Sequence, residues 1–310
     1  MNYIILDLEW NQCPDGKENE NPALPFEIIE IGAVKTDSSF TETGRFCEKV
    51  RPSVYRSFHH HTRELLHADI HDYQNARSFS EVFSDFLAFC EMDKEVYFCT
   101  WGPSDLLELQ RNLTFYNRKN PFPFPLFYLD IQKSFSLQKD DGRTRKSLEC
   151  AIEELTLPKT RNFHNALDDA LYTLEIMRHL NSEKMLAYYS VDYFRLPKSR
   201  RSEILIQYEN YQKFISKPFD SKISAMHDPK VISTRCYLCG KPARRKLRWF
   251  TGNSKNYYSL SYCEEHGWLK GKARLRKTED GRFFCIKTLK LVEAPEAQEI
   301  ANKWAAIKER

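Results

Sequence analysis

The sequence predicts an α/β protein: a mixed sheet flanked by helices, followed by a small C-terminal domain built around cysteines. Three observations lead there. Strand-like apolar runs open the chain as a meander and then alternate with helical patterns as far as residue 180. Several of these elements end or begin on an acidic residue. Beyond residue 230 the composition turns basic, and Cys236-x2-Cys239 and Cys263-x2-His266 stand at metal-ligand spacing.

Residues 3–10, Tyr-Ile-Ile-Leu-Asp-Leu-Glu-Trp, read as the first strand. Residues 27–34 and 45–50 read as the second and third, and the short gaps predict antiparallel neighbours. The run His59-His60-His61, with His67 and His71 nearby, is read as a loop, because three adjacent side chains do not readily converge on one ion. Phe79, Val82, Phe83, Phe86 and Phe89 have helical spacing. Residues 96–101 are a buried strand ended by Gly102-Pro103, and Ser104 is the expected N-cap of a helix over 105–117. The alternating prolines of 121–125 impose an extended connector. Residues 126–131 are a further strand, and 147–155 and 166–180 are helices. Ile204, Tyr208, Tyr211 and Ile215 fall on one helical face. The tail is a helix with Pro295 at N1, a stripe of Ile300, Trp304 and Ile307, and Lys308 and Arg310 closing it. The expected division is a domain over 1–181, a helical connector over 182–230, a basic cysteine-bearing module over 231–292 and the helix over 293–310.

At 310 residues, 41% hydrophobic and 29% charged, the chain has the composition of a globular protein of about two domains. Met1 leads straight into the first strand without a signal-peptide pattern, and no apolar run reaches ~18 residues. A cytoplasmic location without membrane partners is therefore expected. The nine cysteines are then thiols or metal ligands rather than disulfides. The net charge of +4 hides an asymmetry: residues 231–310 carry 18 Lys and Arg against 8 Asp and Glu, and residues 1–230 carry 29 against 35. An acidic domain with a basic appendage fits carboxylates that need metal and an arm that finds a polyanion.

In a strand, side chains i and i+2 share a face, so Asp7 and Glu9 lie side by side while Leu6 and Leu8 pack on the other face. Paired carboxylates repel unless a cation sits between them, and a hard divalent ion is the natural occupant. Asp105 follows a buried strand and opens a helix. His164-Asn165-Ala166-Leu167-Asp168-Asp169 opens another, with Asn165 as N-cap and Asp168 at N3 returning a capping contact. Asp169, about 100° further round the helix, is then directed at the sheet.

These residues resemble the DEDDh 3′–5′ exonuclease family (DnaQ-like, of the ribonuclease-H-like fold), whose pattern is D-x-E on the first strand, Asp after the fourth and H-x4-D at the last helix. Asp7 and Glu9, Asp105, and His164 with Asp169 match it in order and spacing, over residues 1 to about 180. Thr100-Trp101-Gly102, the run over 166–170 and Glu30-Ile31-Gly32-Ala33-Val34 resemble the branch that trims RNA 3′ ends, which includes the histone-mRNA and small-interfering-RNA exonucleases. One departure is that Arg161-Asn162-Phe163 precede His164 where relatives often have a glycine. The resemblance implies two catalytic Mg2+ or Mn2+ ions. Asp7 would bridge both, Glu9 and Asp169 would hold the first, and Asp105 would support the second. It also implies His164 as general base and nucleoside 5′-monophosphates as products.

Beyond the resemblance, Cys236-x2-Cys239 and Cys263-x2-His266 have the spacing of a closed tetrahedral site, which implies one structural Zn2+ in a zinc-ribbon-like module. Cys285 is the substitute ligand if His266 points away. Arg244, Arg245, Lys246, Arg248, Lys270, Lys272, Arg274, Arg276 and Lys277 surround the site, interleaved with aromatics, as candidates for nucleic-acid contact. A protein partner for this module is the competing assignment. The expected activity is 3′–5′ exonucleolytic hydrolysis of single-stranded 3′ ends, RNA favoured over DNA. The alternatives are the same chemistry on DNA, or a zinc-ribbon adaptor with a vestigial nuclease domain.

Overall fold

The computed structural model describes residues 2–308 apart from 93 and 254. It forms two compact units, divided in the chain between Phe194 and Arg195. Among the described residues no helix is long and apolar enough to cross a membrane.

The first unit is a six-stranded mixed sheet of β1 (Asn2–Asn11), β2 (Glu27–Thr36), β3 (Glu42–Lys49), β4 (Val96–Thr100), β5 (Phe127–Asp130) and β6 (Ser190–Val191), in the order β3-β2-β1-β4-β5-β6. β3, β2 and β1 are antiparallel neighbours, β4 and β5 run parallel to β1, and β6 is antiparallel to β5. Around the sheet lie α1 (His60–Leu66), α2 (Phe79–Cys90), α3 (Ser104–Phe115), α4 (Ile131–Lys139), α5 (Leu148–Glu154), α6 (Ala166–Arg178) and α7 (Ser182–Ala187).

The period of β1 assigns its two faces. Ile4, Leu6 and Leu8 enter a core with Phe83 and Phe86 of α2 and Leu106 and Leu109 of α3. Tyr3 and Ile5 enter a second core with Ile152 of α5 and Ala170 and Leu174 of α6. Asp7 and Glu9 continue the Tyr3–Ile5 face, which α6 covers. Two expectations change at element ends. Ser104 is the first helical residue rather than the cap, a position held by Pro103. His60 opens the short helix α1 where a loop was expected: His59 caps its start, its Nδ1 accepting from His61 N–H at 3.3 Å, and His67 ends it in a left-handed conformation at φ 49°. The unexpected α4 follows β5 directly, its start capped by Asp130, whose carboxylate accepts from Lys133 N–H at 2.8 Å.

The second unit is a six-stranded antiparallel sheet of β7 (Ile204–Gln207), β8 (Tyr211–Ile215), β9 (Arg244–Phe250), β10 (Asn256–Cys263), β11 (Gly267–Lys277) and β12 (Phe283–Val292), ordered β7-β8-β12-β11-β10-β9. The helical connector over 182–230 is corrected here: residues 204–215 form the β7–β8 hairpin. The spacing of Ile204, Tyr208, Tyr211 and Ile215 mimics a helical stripe, but β7 alternates buried and exposed at period two. Tyr208 N–H donates to Tyr211 C=O at 2.8 Å across a Glu209-Asn210 turn. β-branched and aromatic residues on either side of a polar turn favour the hairpin. The cysteine-bearing module is therefore part of a larger sheet rather than a free-standing ribbon.

One sheet face packs Phe214, Ala273, Leu275 and Cys285 against α8 (Lys222–His227) and α9 (Pro229–Ile232). The other packs Leu247, Leu260 and Trp268 against Ala297 and Ile300 of α10 (Ala294–Lys308). Arg310, expected to close that helix, lies outside the described residues.

Candidate active site and metal centre

The first unit gathers its acids where three elements end together. β1 carries Asp7 and Glu9 on one face. Asp105, at the second residue of α3, accepts a hydrogen bond on Oδ1 from Leu8 N–H at 3.2 Å. That contact ties the helix start to the backbone between the two β1 acids. Asp169 arrives from α6. The approach depends on Gly32, paired with Asp7 across β1–β2. A Cβ there would lie 2.1 Å from the carbonyl carbon of Ala166, so only glycine lets the first turn of α6 rest on the strand.

Asn165 caps α6 as expected, its Oδ1 accepting from Asp168 N–H at 3.1 Å. Asp168 returns its carboxylate to Asn162 N–H at 3.2 Å rather than to the cap's own backbone. Asp169 Oδ2 accepts from His164 N–H at 3.0 Å. Its Oδ1 is buried and has no hydrogen-bond partner. Glu9, His164 and Asp169 each offer a ligand atom within 4.8 Å of the others. His164 itself is exposed and held at φ 63°, a left-handed conformation that costs an L-residue about 1–2 kcal/mol. Phe163, standing where a glycine is frequent, stacks on Tyr172 at 4.7 Å and anchors the loop into the core.

The electrostatics are one-sided. Burial, reinforced by Asp105, Asp169 and Glu9, holds the Asp7 carboxyl well above the usual carboxylate range. Burial and the charge of Asp169 push Glu9 up to about 8. Asp105 and Asp169 are each pushed up to about 7 by burial, although the N–H groups of Leu8 and His164 act in the opposite sense. Four converging carboxylates, two half-buried and two buried, with an orphaned oxygen fit hard divalent cations.

Glu30 was not anticipated from the sequence. It lies opposite Glu9 and is buried, and Oε1 accepts from Ala166 N–H at 3.3 Å and Asn165 Nδ2 at 3.2 Å. It therefore anchors the start of α6 to the sheet and adds a fifth acid. The available signal was an acid inside the otherwise apolar run Ile28-Ile29-Glu30-Ile31.

In the second unit Cys236, Cys239, Cys263 and His266 converge, with all four ligand atoms within 4.8 Å of one another. Cys239 Sγ to Cys263 Sγ is 3.7 Å, and Cys236 Sγ and Cys263 Sγ lie 3.6 and 3.7 Å from His266 Nδ1. Tetrahedral coordination with Zn–S near 2.3 Å puts sulfurs about 3.8 Å apart, so the donor set and its spacing fit zinc. Burial raises the Cys263 thiol, but hydrogen bonds from His266 and neighbouring backbone outweigh it and bring it to about 7. Cys285 is buried in the α8–α9 core and is not among these ligands. Among the described residues the histidines at 59–61 join neither group.

The basic residues do not form one patch. Arg245, Lys246 and Arg248 line a groove with Pro229 and residues 232–235. Lys270 pairs with Glu296 of α10 at 2.5 Å, on the opposite face of the sheet, and Lys272 and Arg274 follow it at period two.

The family model described as Exonuclease (RNase_T) matches residues 5–177 and so spans all five acids and His164. A protein of Bacillus subtilis (strain 168) named probable 3′-5′ exonuclease KapD is 30% identical over 182 residues, which is 58% of this chain and 85% of that protein. Among solved structures, the nuclease domain of 3′hExo, described as a DEDDh family member bound to rAMP, is 20% identical with a TM-score of 0.49, over 57% of this chain and 90% of that one. A full-length 3′-exonuclease is likewise 20% identical with a TM-score of 0.49, over 57% and 80%. On the family match over more than half its length, with the acids gathered at one sheet end, this chain belongs to the exonuclease family.

Proposed function

We propose that the chain hydrolyses phosphodiester bonds one nucleotide at a time from the 3′ end of single-stranded RNA, releasing nucleoside 5′-monophosphates. The observation that carries this reading is the acid cluster of half-buried Asp7 and Glu9 with buried Asp105 and Asp169, with an unpartnered Asp169 oxygen, opening beside an exposed histidine. The name of the Bacillus subtilis relative supports the 3′-to-5′ polarity. The Thr100-Trp101-Gly102 stretch is the sequence feature behind the choice of RNA over DNA.

Asp7, Glu9, Asp105 and Asp169 would hold two Mg2+ or Mn2+ ions, which would supply positive charge to the phosphodiester as it is hydrolysed. Asp105 is oriented by Leu8 N–H, and Asp169 by His164 N–H. The His164 imidazole takes the proton from the attacking water as its oxygen closes on phosphorus. Cys236, Cys239, Cys263 and His266 would hold one structural Zn2+.

Matched RNA and DNA oligomers, labelled at either end and incubated with magnesium or manganese, test the reading. A 3′ label should leave as a mononucleotide while a 5′ label shortens stepwise, faster on RNA. Early release of the 5′ label, or no hydrolysis with either metal, would overturn it. A faster reaction on DNA would transfer the assignment to DNA.

A further inference from the structure

We propose that the groove between α9 and β9 in the second unit is a binding track for the phosphate backbone of single-stranded nucleic acid. The groove has a volume of about 690 Å3. One wall is the segment leaving α9, which carries Ser233, Thr234 and Arg235. The other is β9, which carries Arg245, Lys246 and Arg248.

Regular alternation would send Arg245 and Lys246 to opposite faces of β9. Two register shifts against β10, one between Tyr258 and Leu260 and one between Leu260 and Ser261, interrupt that alternation, and three of the four β9 cations, Arg245, Lys246 and Arg248, line the same groove. Charges and bulges also protect an edge strand from pairing, and β9 is an edge strand. Edge protection does not require a fourth cation on the facing wall, yet Arg235 is there. Its side chain is braced across the cysteine knuckle by a 3.1 Å hydrogen bond to Gly240 C=O, and its backbone bridges to Pro242.

Some basic side chains of this unit meet carboxylates, among them Arg200 with Asp228, Lys230 with Glu203, and Lys241 with Glu265. Among the described residues Arg235, Arg245, Lys246 and Arg248 form no ion pair, and no acid lines the groove. Four exposed cations facing one another repel, a cost that a polyanion removes. Lining hydroxyls from Ser233 and Thr234 can donate to phosphate oxygens, and Ile232 and Pro242 give sugars an apolar floor. Lys287 holds the α9 wall in place from within the core, donating to Lys230 C=O at 2.5 Å and Ser233 C=O at 3.0 Å.

The choice of nucleic acid over another polyanion rests on the exonuclease reading. The test is binding of a fluorescent 20-nucleotide oligouridylate to the full chain at several salt concentrations, without added divalent metal. Because no bond is cut, a failure of the exonuclease reading appears in the hydrolysis assay and leaves this measurement interpretable. The double variant Arg245→Gln/Arg248→Gln should bind about tenfold more weakly. Its log–log salt slope should flatten by roughly 1.4, at about 0.7 per phosphate released. The charge-matched double variant Lys272→Gln/Arg274→Gln, on the opposite sheet face, should stay within twofold. Equal losses in the two double variants would reduce the effect to bulk charge and overturn the proposal, as would unchanged binding in the first. Displacement of the oligouridylate by polyglutamate at equal charge would overturn it in favour of an acidic protein partner.

Discussion

Gly32 and Ala166 are in backbone contact: a Cβ on the glycine would stand 2.1 Å from the alanine's carbonyl carbon. The relationship sets the height of α6 above the sheet, and with it the reach of Asp169 towards Asp7. Gly32→Ala should destabilise the unit by about 1–3 kcal/mol, the usual range for overpacking. Hydrolysis, assayed well below the unfolding midpoint, should fall at least about 100-fold, as small misplacements of catalytic groups do. Thermal unfolding and rate measured on the same sample separate the two effects. Loss of stability without loss of rate would show that the acids tolerate a displaced helix.

Asp7→Asn should abolish hydrolysis with the fold retained, since it removes one charge from the centre of the acid set. Asp169→Asn should be nearly as severe. Asp168→Asn should be much milder, because an amide oxygen can still accept from Asn162 N–H. Rates of the three purified variants check this. Equal loss at 168 and 169 would assign Asp168 to the reaction itself.

His164→Ala should lower the rate by about 10²–10⁴-fold, the range for removing a general base. The residue's φ of 63° separates its side chain from its backbone. His164→Gly should be equally slow, yet more stable than His164→Ala by about 1 kcal/mol, because glycine adopts this conformation without the Cβ clash. Comparable stability of the two variants would mean that the loop relaxes once the imidazole is gone.

Folded-state pKa values raised to about 7 for Asp105 and Asp169 and about 8 for Glu9 have a defined stability signature. Raised groups bind more protons in the folded than in the unfolded state. Their contribution is complete below the unfolded carboxylate range and is lost as pH rises through the folded values. The metal-free protein should therefore unfold at progressively lower temperature from about pH 5 to pH 8. Magnesium or manganese should remove most of that decline by substituting for the protons. Scanning calorimetry across this range, with and without metal, is the measurement, and a flat metal-free profile would contradict it.

Replacing Cys236 and Cys239 with Ser should lower zinc content by one ion per chain, since two of four ligands are lost. The knuckle also braces Arg235, so oligouridylate affinity should fall with the zinc. Metal analysis and the binding assay report on the same preparation. Zinc retained at one equivalent would place the ion elsewhere.

The local placement of the acids and of the cysteine pair was legible in the sequence because it sits on local rules. Period two puts Asp7 and Glu9 together, a capping asparagine fixes the register of Asp169, and C-x2-C spacing makes a metal knuckle. These depend only on neighbours within a turn or a strand, and the structure keeps them. Tertiary contacts decided the rest. Glu30 gained its place from an α6 start 135 residues away, and Gly32 from the passage of the same helix. Residues 204–215 could satisfy a helical stripe or a hairpin, and pairing of β8 with β12, some 70 residues on, selected the hairpin. In sequence the nine arm cations simply surround the cysteine site, but a sheet has two faces. Only the β9 bulges and the opposite placement of Lys270 sorted them, since a strand's side chains acquire a common direction only through the partner it pairs with.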